Sequence, residues 1–143
     1  MTVKQYLNQL CILKQKADQK RKELKHVKQE SLICNRSGAL TGKVQTSFSR
    51  TGSPTERYAI RLSDLENAVN ESILTYLEER DGIVDQIHEL DNSSYIEVLH
   101  KRYVEDIRNF ENIACDMGYS YQYVLNIHAE ALKAFENRFP ELF

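Results

Sequence analysis

Apolar residues recur every three to four positions along most of the chain, the period of helices that bury one face. In the first segment, 2–34, they are Val3, Tyr6, Leu10, Leu13, Ala17, Leu24 and Val27, with Lys20 standing where an apolar residue is expected. Thr2 and Gln5 predict a capping box at its start, in which the Gln side chain reaches back to the free N–H of the cap. Four heptads of so narrow a stripe make a coiled-coil seam rather than a broad globular face. At about 1.5 Å per residue this helix is roughly 48 Å long, more than a small core can cover, so it needs a partner helix.

The pattern lapses at 37–53, where Ser37, Gly38, Thr41, Gly42, Thr46, Ser47, Ser49, Thr51, Gly52 and Ser53 leave little to pack. A flexible connection near 35–53 is expected, with Lys43, Phe48 and Arg50 as its residues suited to a partner. Ser53-Pro54-Thr55-Glu56 then starts a second long helix with a Ser cap, Pro at the first helical position and Glu three residues after the cap. Tyr58, Leu62, Leu65, Val69, Tyr76, Ile83 and Leu90 keep near-heptad spacing, and Ile73, Leu77 and Ile87 widen the stripe. Gly82 weakens the helix interior and marks a candidate bend. Asp91-Asn92-Ser93-Ser94 breaks the helix, and Ser94 with Glu97 predicts a further capping box. A helix follows from about Tyr95 to Val104, burying Ile96, Leu99 and Tyr103. Asn109 caps a short helix through Met117, Gly118 ends it, Ser120 caps the last helix and Pro140 stops it. The expected fold is all-α: a long antiparallel helical hairpin over 1–92, then a compact helical unit over 93–143. Pairing between two copies would satisfy the same seam, so homodimerisation through the long helices stays open.

Charge sharpens this division. The whole chain of 143 residues has a net charge of −2. Residues 1–50 nonetheless hold 11 Lys/Arg against 3 Asp/Glu, residues 51–94 hold 3 against 10, and residues 95–143 hold 5 against 8. A basic helix lying against an acidic one is the favoured reading of the first two blocks, over a basic arm for nucleic acid. No stretch approaches the roughly 18–20 apolar residues that span a bilayer, so no membrane partner and a cytoplasmic location are expected. Cys11, Cys34 and Cys115 are odd in number and form no CxxC, which supports neither a disulfide framework nor a zinc site. His26, His88, His100 and His128 lack metal-ligand spacing, and no glycine-rich phosphate loop, GxSxG or Cys–His pair is present. No catalytic residue, metal or cofactor is therefore expected. His128 suits a DNA contact and packing beside Leu132 equally.

Residues 110–129 carry the most specific pattern. A helix-turn-helix needs apolar residues where its helices touch, a small residue where they cross and a turn residue able to take positive φ. Ile113 and Met117 supply one inner face, Ala114 the crossing, Gly118 the turn and Tyr119 its cover. Val124 and Ile127 supply the other inner face. The runs Leu99-His100-Lys101-Arg102-Tyr103-Val104-Glu105, Glu111-Asn112-Ile113-Ala114-Cys115-Asp116-Met117-Gly118-Tyr119-Ser120 and His128-Ala129-Glu130-Ala131-Leu132 resemble region 4 of bacterial sigma-70 factors. They are more similar still to small sigma-region-4-like regulators encoded by phages and prophages of Gram-positive bacteria. Members of that group also tend to carry a long helical first half with a Ser/Thr-rich interruption. The resemblance covers most of the chain, but only 95–138 carries a motif of useful specificity.

The resemblance implies a transcriptional regulator in the bacterial host cytoplasm that binds promoter DNA, host RNA polymerase, or both. By position, Ser120, Tyr121, Gln122, Leu125, Asn126 and Ala129 occupy the outward face at the start of the recognition helix. Gln and Asn can each pair with adenine through two hydrogen bonds in the major groove, and hydroxyls suit phosphates. Lys101, Arg102 and Arg108 fall where backbone contacts are expected. The chain departs from the family pattern twice. The turn Asp106-Ile107-Arg108-Asn109 lacks the usual glycine and is one residue longer, and the recognition helix has no Lys or Arg before Lys133. Phosphate neutralisation supplies most non-specific affinity, so the acidic last block should bind DNA weakly unaided. Contacts from the basic first helix, dimerisation, or a tether to polymerase would each compensate. Two other readings remain: a helical adaptor that binds a host protein without DNA, and a DNA-packaging small subunit.

Overall fold

The structure, a computed structural model, describes residues 1–40 and 54–143, with the side chains of 34–40 outside the description. The described chain is all-α and contains no strand. Helix α1 spans Val3–Leu40 and α2 Pro54–His88; α3 (Ser93–Leu99) runs into a π-helical turn at His100–Val104. Helix α4 (Phe110–Met117), α5 (Tyr121–Arg138) and a 3-10 turn at Pro140–Leu142 complete the chain. No described helix is long and apolar enough to cross a membrane.

The helix ends follow local chemistry. The Thr2 N–H donates to Gln5 Oε1 at 3.0 Å, and the Gln5 N–H donates to Thr2 Oγ1 at 3.3 Å, closing the expected box. Pro54 opens α2 at the position where its missing N–H costs nothing. The expectation that helix fails from residue 37 is corrected: α1 continues to Leu40, with Ser37 and Gly38 in its last turn. Propensity penalties of about 1 kcal/mol or less per residue are too small to end an established helix by themselves. Thr41 to Ser53, including Lys43, Phe48, Arg50 and the Ser53 cap, lie outside the described residues.

Asn92, not Ser94, caps α3. Its Oδ1 accepts the Ser94 N–H at 2.9 Å from an extended backbone, which places the helix start one residue before the expected cap. Nor does that helix run evenly to Val104. Its last turn widens: the Glu105 N–H donates to the His100 carbonyl at 3.0 Å and the Ile107 N–H to the Lys101 carbonyl at 3.1 Å. Asp106 then takes φ +59°, the left-handed conformation for which glycine is the usual choice and which Asp tolerates better than most residues. A π turn followed by a left-handed Asp thus carries the chain out of α3 and into the turn that precedes α4.

The chain forms two compact units. One comprises Gln15–Leu74, which takes in the later part of α1 and the first part of α2. Ala17, Val27 and Val69 are buried there, and Leu24, Leu62 and Leu65 are half-buried. Lys28 of α1 reaches Glu66 of α2 at 3.0 Å, in the direction that the charge blocks predict, while Arg61 of α2 and Glu23 of α1 reverse it at 4.0 Å. All four side chains are half-exposed, so each pair is worth under about 1 kcal/mol.

The other unit comprises Met1–Lys14 and Thr75–Phe143. Its core joins Val3, Leu7 and Leu10 of α1 and Ile83 and Ile87 of α2 to Val98, Leu99, Ile113, Val124, Ala131 and Phe135. Leu7, which the heptad stripe leaves out, is fully buried. The Tyr6 hydroxyl donates to Gln86 Oε1 at 2.9 Å. Phe135, also fully buried, has ring neighbours at Phe139 (5.0 Å), Phe143 (6.2 Å) and Tyr6 (6.3 Å). Each large side chain taken wholly from water in such a cluster contributes about 1.5–3 kcal/mol of transfer free energy.

Candidate nucleic-acid interface

The candidate face is built by α4, the turn after it and α5. Asn109 starts α4, its Oδ1 accepting the Glu111 N–H at 2.9 Å. Ile113 and Ala114 are buried on the inner side of this helix and Val124 and Ile127 on that of α5; Met117 is half-buried. Gly118 closes α4 at φ +70°. Its N–H donates to the Cys115 carbonyl at 3.3 Å, and the Tyr119 N–H donates to the Ala114 carbonyl at 3.0 Å. A Cβ on Gly118 would meet no atom within 4 Å, so the backbone conformation, not space, selects glycine here. Ser120 caps α5, its Oγ accepting the Tyr123 N–H at 3.3 Å.

This arrangement sorts the side chains of α5. Val124, Ile127, His128, Ala131 and Phe135 turn inward. Ser120, Tyr121, Gln122, Asn126 and Ala129 are exposed, and Leu125 is half-buried. Tyr119, next to the turn glycine, is exposed and stands edge-on to the exposed Tyr123, with ring centroids 5.0 Å apart. Sequence spacing marks Tyr119 only as the residue after the glycine, and nothing in it signals the contact with Tyr123.

The three expected basic residues differ in how they are engaged. Lys101 is half-buried, with its amine 3.8 Å from Asp116 of α4. Arg108 is exposed; its Nε faces Asp106 at 3.4 Å and its terminal nitrogen donates to the Cys11 sulfur of α1 at 3.1 Å. These contacts hold its guanidinium pKa above the ordinary value, Cys11 contributing most. Arg102, half-buried, has its guanidinium carbon 5.4 Å from the Tyr103 ring centre and 5.6 Å from that of Phe110, and forms no ion pair among the described residues.

His128 lies behind this face. It is 7% exposed, and its Nε2 shares a 3.1 Å hydrogen bond with the Tyr103 hydroxyl. Phe110 meets it edge-on at 5.0 Å. Burial, then the positive charges of Lys4 and Arg102, push its pKa down to about 4, so the ring is neutral near pH 7. Of the two roles His128 suited, packing is the one it has. Lys4, more than a hundred residues away in sequence, has no signal that would connect it with this region.

No described group of His, Cys, Asp and Glu could hold a metal ion. Cys115 is exposed and Cys11 half-buried, and neither is in a disulfide among the described residues. No protein-family model, curated protein or solved structure matches the chain.

Proposed function

We propose that this chain is a DNA-binding transcriptional regulator of the phage or prophage type, acting at promoters with host RNA polymerase. The observation that carries the reading is the outward face of α5. Gln122 and Asn126 lie one helical turn apart, both exposed and neither hydrogen-bonded within the described residues. Tyr121, the first residue of α5 after the Ser120 cap, is exposed as well. At about 1.5 Å per residue α5 is roughly 27 Å long, enough to lie in a major groove as the second helix of a helix-turn-helix. Gln122 and Asn126 then read adenines, while Ser120, Tyr121 and the cations Lys101, Arg102 and Arg108 meet phosphates. Leu125 and Ala129 supply apolar contact for thymine methyl groups.

The engaged cations make this a weak binder of DNA alone, and polymerase supplies the tether. Footprinting on promoters of the encoding element, with and without host polymerase, tests the proposal. It expects a footprint that strengthens with polymerase and fades in the Gln122→Ala/Asn126→Ala variant.

A second reading is favoured by Tyr119, Tyr121 and Tyr123, all exposed by more than two-fifths on the same short stretch. Tyrosine is the typical anchor of protein interfaces, and with Lys101 and Arg108 engaged by neighbours this face also suits a protein partner. On that reading the chain is an adaptor that binds a host protein, and no footprint appears alone or in complex.

A further inference from the structure

We infer that the outward side of α1 at Arg21, Lys22 and Lys25 is a second nucleic-acid surface, which grips the phosphate backbone of duplex DNA regardless of sequence. It rests on the DNA-binding reading and supplies phosphate contacts that the α5 face lacks. The fold divides charge differently from the sequence blocks. Met1–Lys14 with Thr75–Phe143, the unit that holds α5, contains 14 Asp/Glu against 8 Lys/Arg. Gln15–Leu74 contains 11 Lys/Arg against 7 Asp/Glu. In this second unit Lys28 of α1 reaches a carboxylate of α2, that of Glu66. Lys16, Lys20, Arg21, Lys22 and Lys25 are all exposed and form no ion pair among the described residues. Most of the positive charge on this part of α1 is therefore not neutralised by the acidic helix beside it.

Helical geometry gathers three of these cations. Lys25 stands three residues after Lys22 and four after Arg21, the two spacings that set side chains next to each other, about 5–6 Å apart at Cβ. Like charges so placed destabilise a helix, and a polyanion removes the repulsion. Asp18, one turn before Lys22, forms no ion pair with it among the described residues. Two features select a duplex as the polyanion. After Tyr6, α1 has no Phe, Tyr or Trp, so it offers no ring on which an unpaired base could stack. It offers a lipid surface no apolar face either: Ala17 and Val27 are buried, and no large apolar residue from 13 to 31 is exposed. At about 1.5 Å per residue, Arg21 to Lys25 covers roughly 6 Å, the rise of about two base pairs, which suits successive phosphates of one strand.

The test is fluorescence anisotropy of the full chain with labelled 30-base-pair duplexes of unrelated sequence over a series of salt concentrations. Arg21→Gln/Lys22→Gln/Lys25→Gln is expected to weaken binding about a hundredfold near 0.15 M salt and to reduce the slope of log K against log salt by about two to three. The loss should be equal on every duplex. Arg21→Lys/Lys22→Arg/Lys25→Arg, which keeps the charges, should bind like the parent chain, and Gln122→Ala/Asn126→Ala should keep the parent slope. Arg80→Gln/Arg138→Gln removes charge from the pairs with Asp81 and Glu89 and should change the slope by less than one. If the parent chain binds and the triple Gln variant keeps its slope, or if Arg80→Gln/Arg138→Gln lowers it as much, the surface is overturned while the DNA-binding reading stands. The same holds if light scattering without DNA shows a low-salt dimer that the triple Gln variant abolishes, because the acidic unit of a second copy then covers these cations. If the parent chain does not bind duplex DNA with or without polymerase, both fall.

Discussion

The hydroxyl of Tyr103 and Nε2 of His128 meet at 3.1 Å inside the core, one from the π turn after α3 and the other from α5. Their rings also lie nearly parallel, with centroids 5.8 Å apart. The bond ties the irregular turn to the helix bearing the candidate DNA face, so both residues belong to the support of that face rather than to its surface. Burial raises the Tyr103 pKa, the Arg102 charge opposing it, so the phenol stays protonated at neutral pH. Tyr103→Phe removes one partner and leaves a buried ring nitrogen unsatisfied. A loss of about 1–3 kcal/mol in urea unfolding is expected at pH 7.5. A change well under 0.5 kcal/mol would show that water replaces the hydroxyl freely.

His128 also makes stability depend on pH. Its folded pKa of about 4 lies below the ordinary 6.5, so the unfolded chain takes up a proton first as pH falls. Its neutral form is fully accommodated above about pH 6.5, and stability drops progressively between there and pH 4. The span corresponds to about 3 kcal/mol at most. Denaturation at pH 7.5, 5.5 and 4.5 should therefore show the parent chain losing more stability than His128→Phe. Equal losses in the two would mean that the imidazole does not titrate differently on folding.

Gly118 fixes the turn between α4 and α5 through its left-handed backbone. Gly118→Ala should cost about 1–2 kcal/mol, because the added Cβ meets no neighbour and acts through φ alone. Gly118→Asn should cost less, since Asn visits this region more readily. Thermal unfolding that ranks Ala no worse than Asn would remove the backbone explanation.

Much of the fold is legible in the chain because the signals are local. The Thr2–Gln5 box, the Asn109 and Ser120 caps, Pro54 and Gly118 each act within three or four residues, and each stands where spacing puts it. The α3 start escapes because three candidate caps, Asn92, Ser93 and Ser94, compete over one turn, and backbone geometry selects Asn92. Leu7 and Ile87 lie in one core with Phe135, which a heptad pattern cannot express: periodicity gives the buried side of a helix but not what covers it. The same limit applies to the candidate face. Exposure of Gln122 and Asn126 follows from the helical period, whereas the engagement of Arg108 with Cys11 and of Arg102 with two rings depends on contacts across the fold.

The core around Phe135 should dominate the stability of Met1–Lys14 with Thr75–Phe143. Phe135→Ala removes a fully buried ring with three aromatic neighbours, and a cost of about 3–5 kcal/mol is expected. Phe135→Leu keeps most of the volume and should cost clearly less. Circular dichroism during chemical unfolding gives both values. A Phe135→Ala loss below about 1 kcal/mol would mean that the site collapses around the deletion.

Two pairs of exposed residues on one stretch distinguish the DNA reading from the adaptor reading. Gln122→Ala/Asn126→Ala removes four amide hydrogen-bonding sites but little apolar area, so it should erode promoter discrimination. Each lost base pairing is worth about 1–3 kcal/mol against the wrong base. Tyr119→Ser/Tyr123→Ser instead strips the edge-on ring pair from the surface while leaving those amides in place. If DNA is the partner, the amide variant loses its preference for its own promoter over an unrelated duplex, and the tyrosine variant retains it. If a host protein is the partner, the tyrosine variant loses most capture of purified polymerase and the amide variant keeps it, because aromatic anchors dominate such interfaces. Both measurements use residues that are exposed in the folded chain, so unchanged unfolding midpoints provide the control for each.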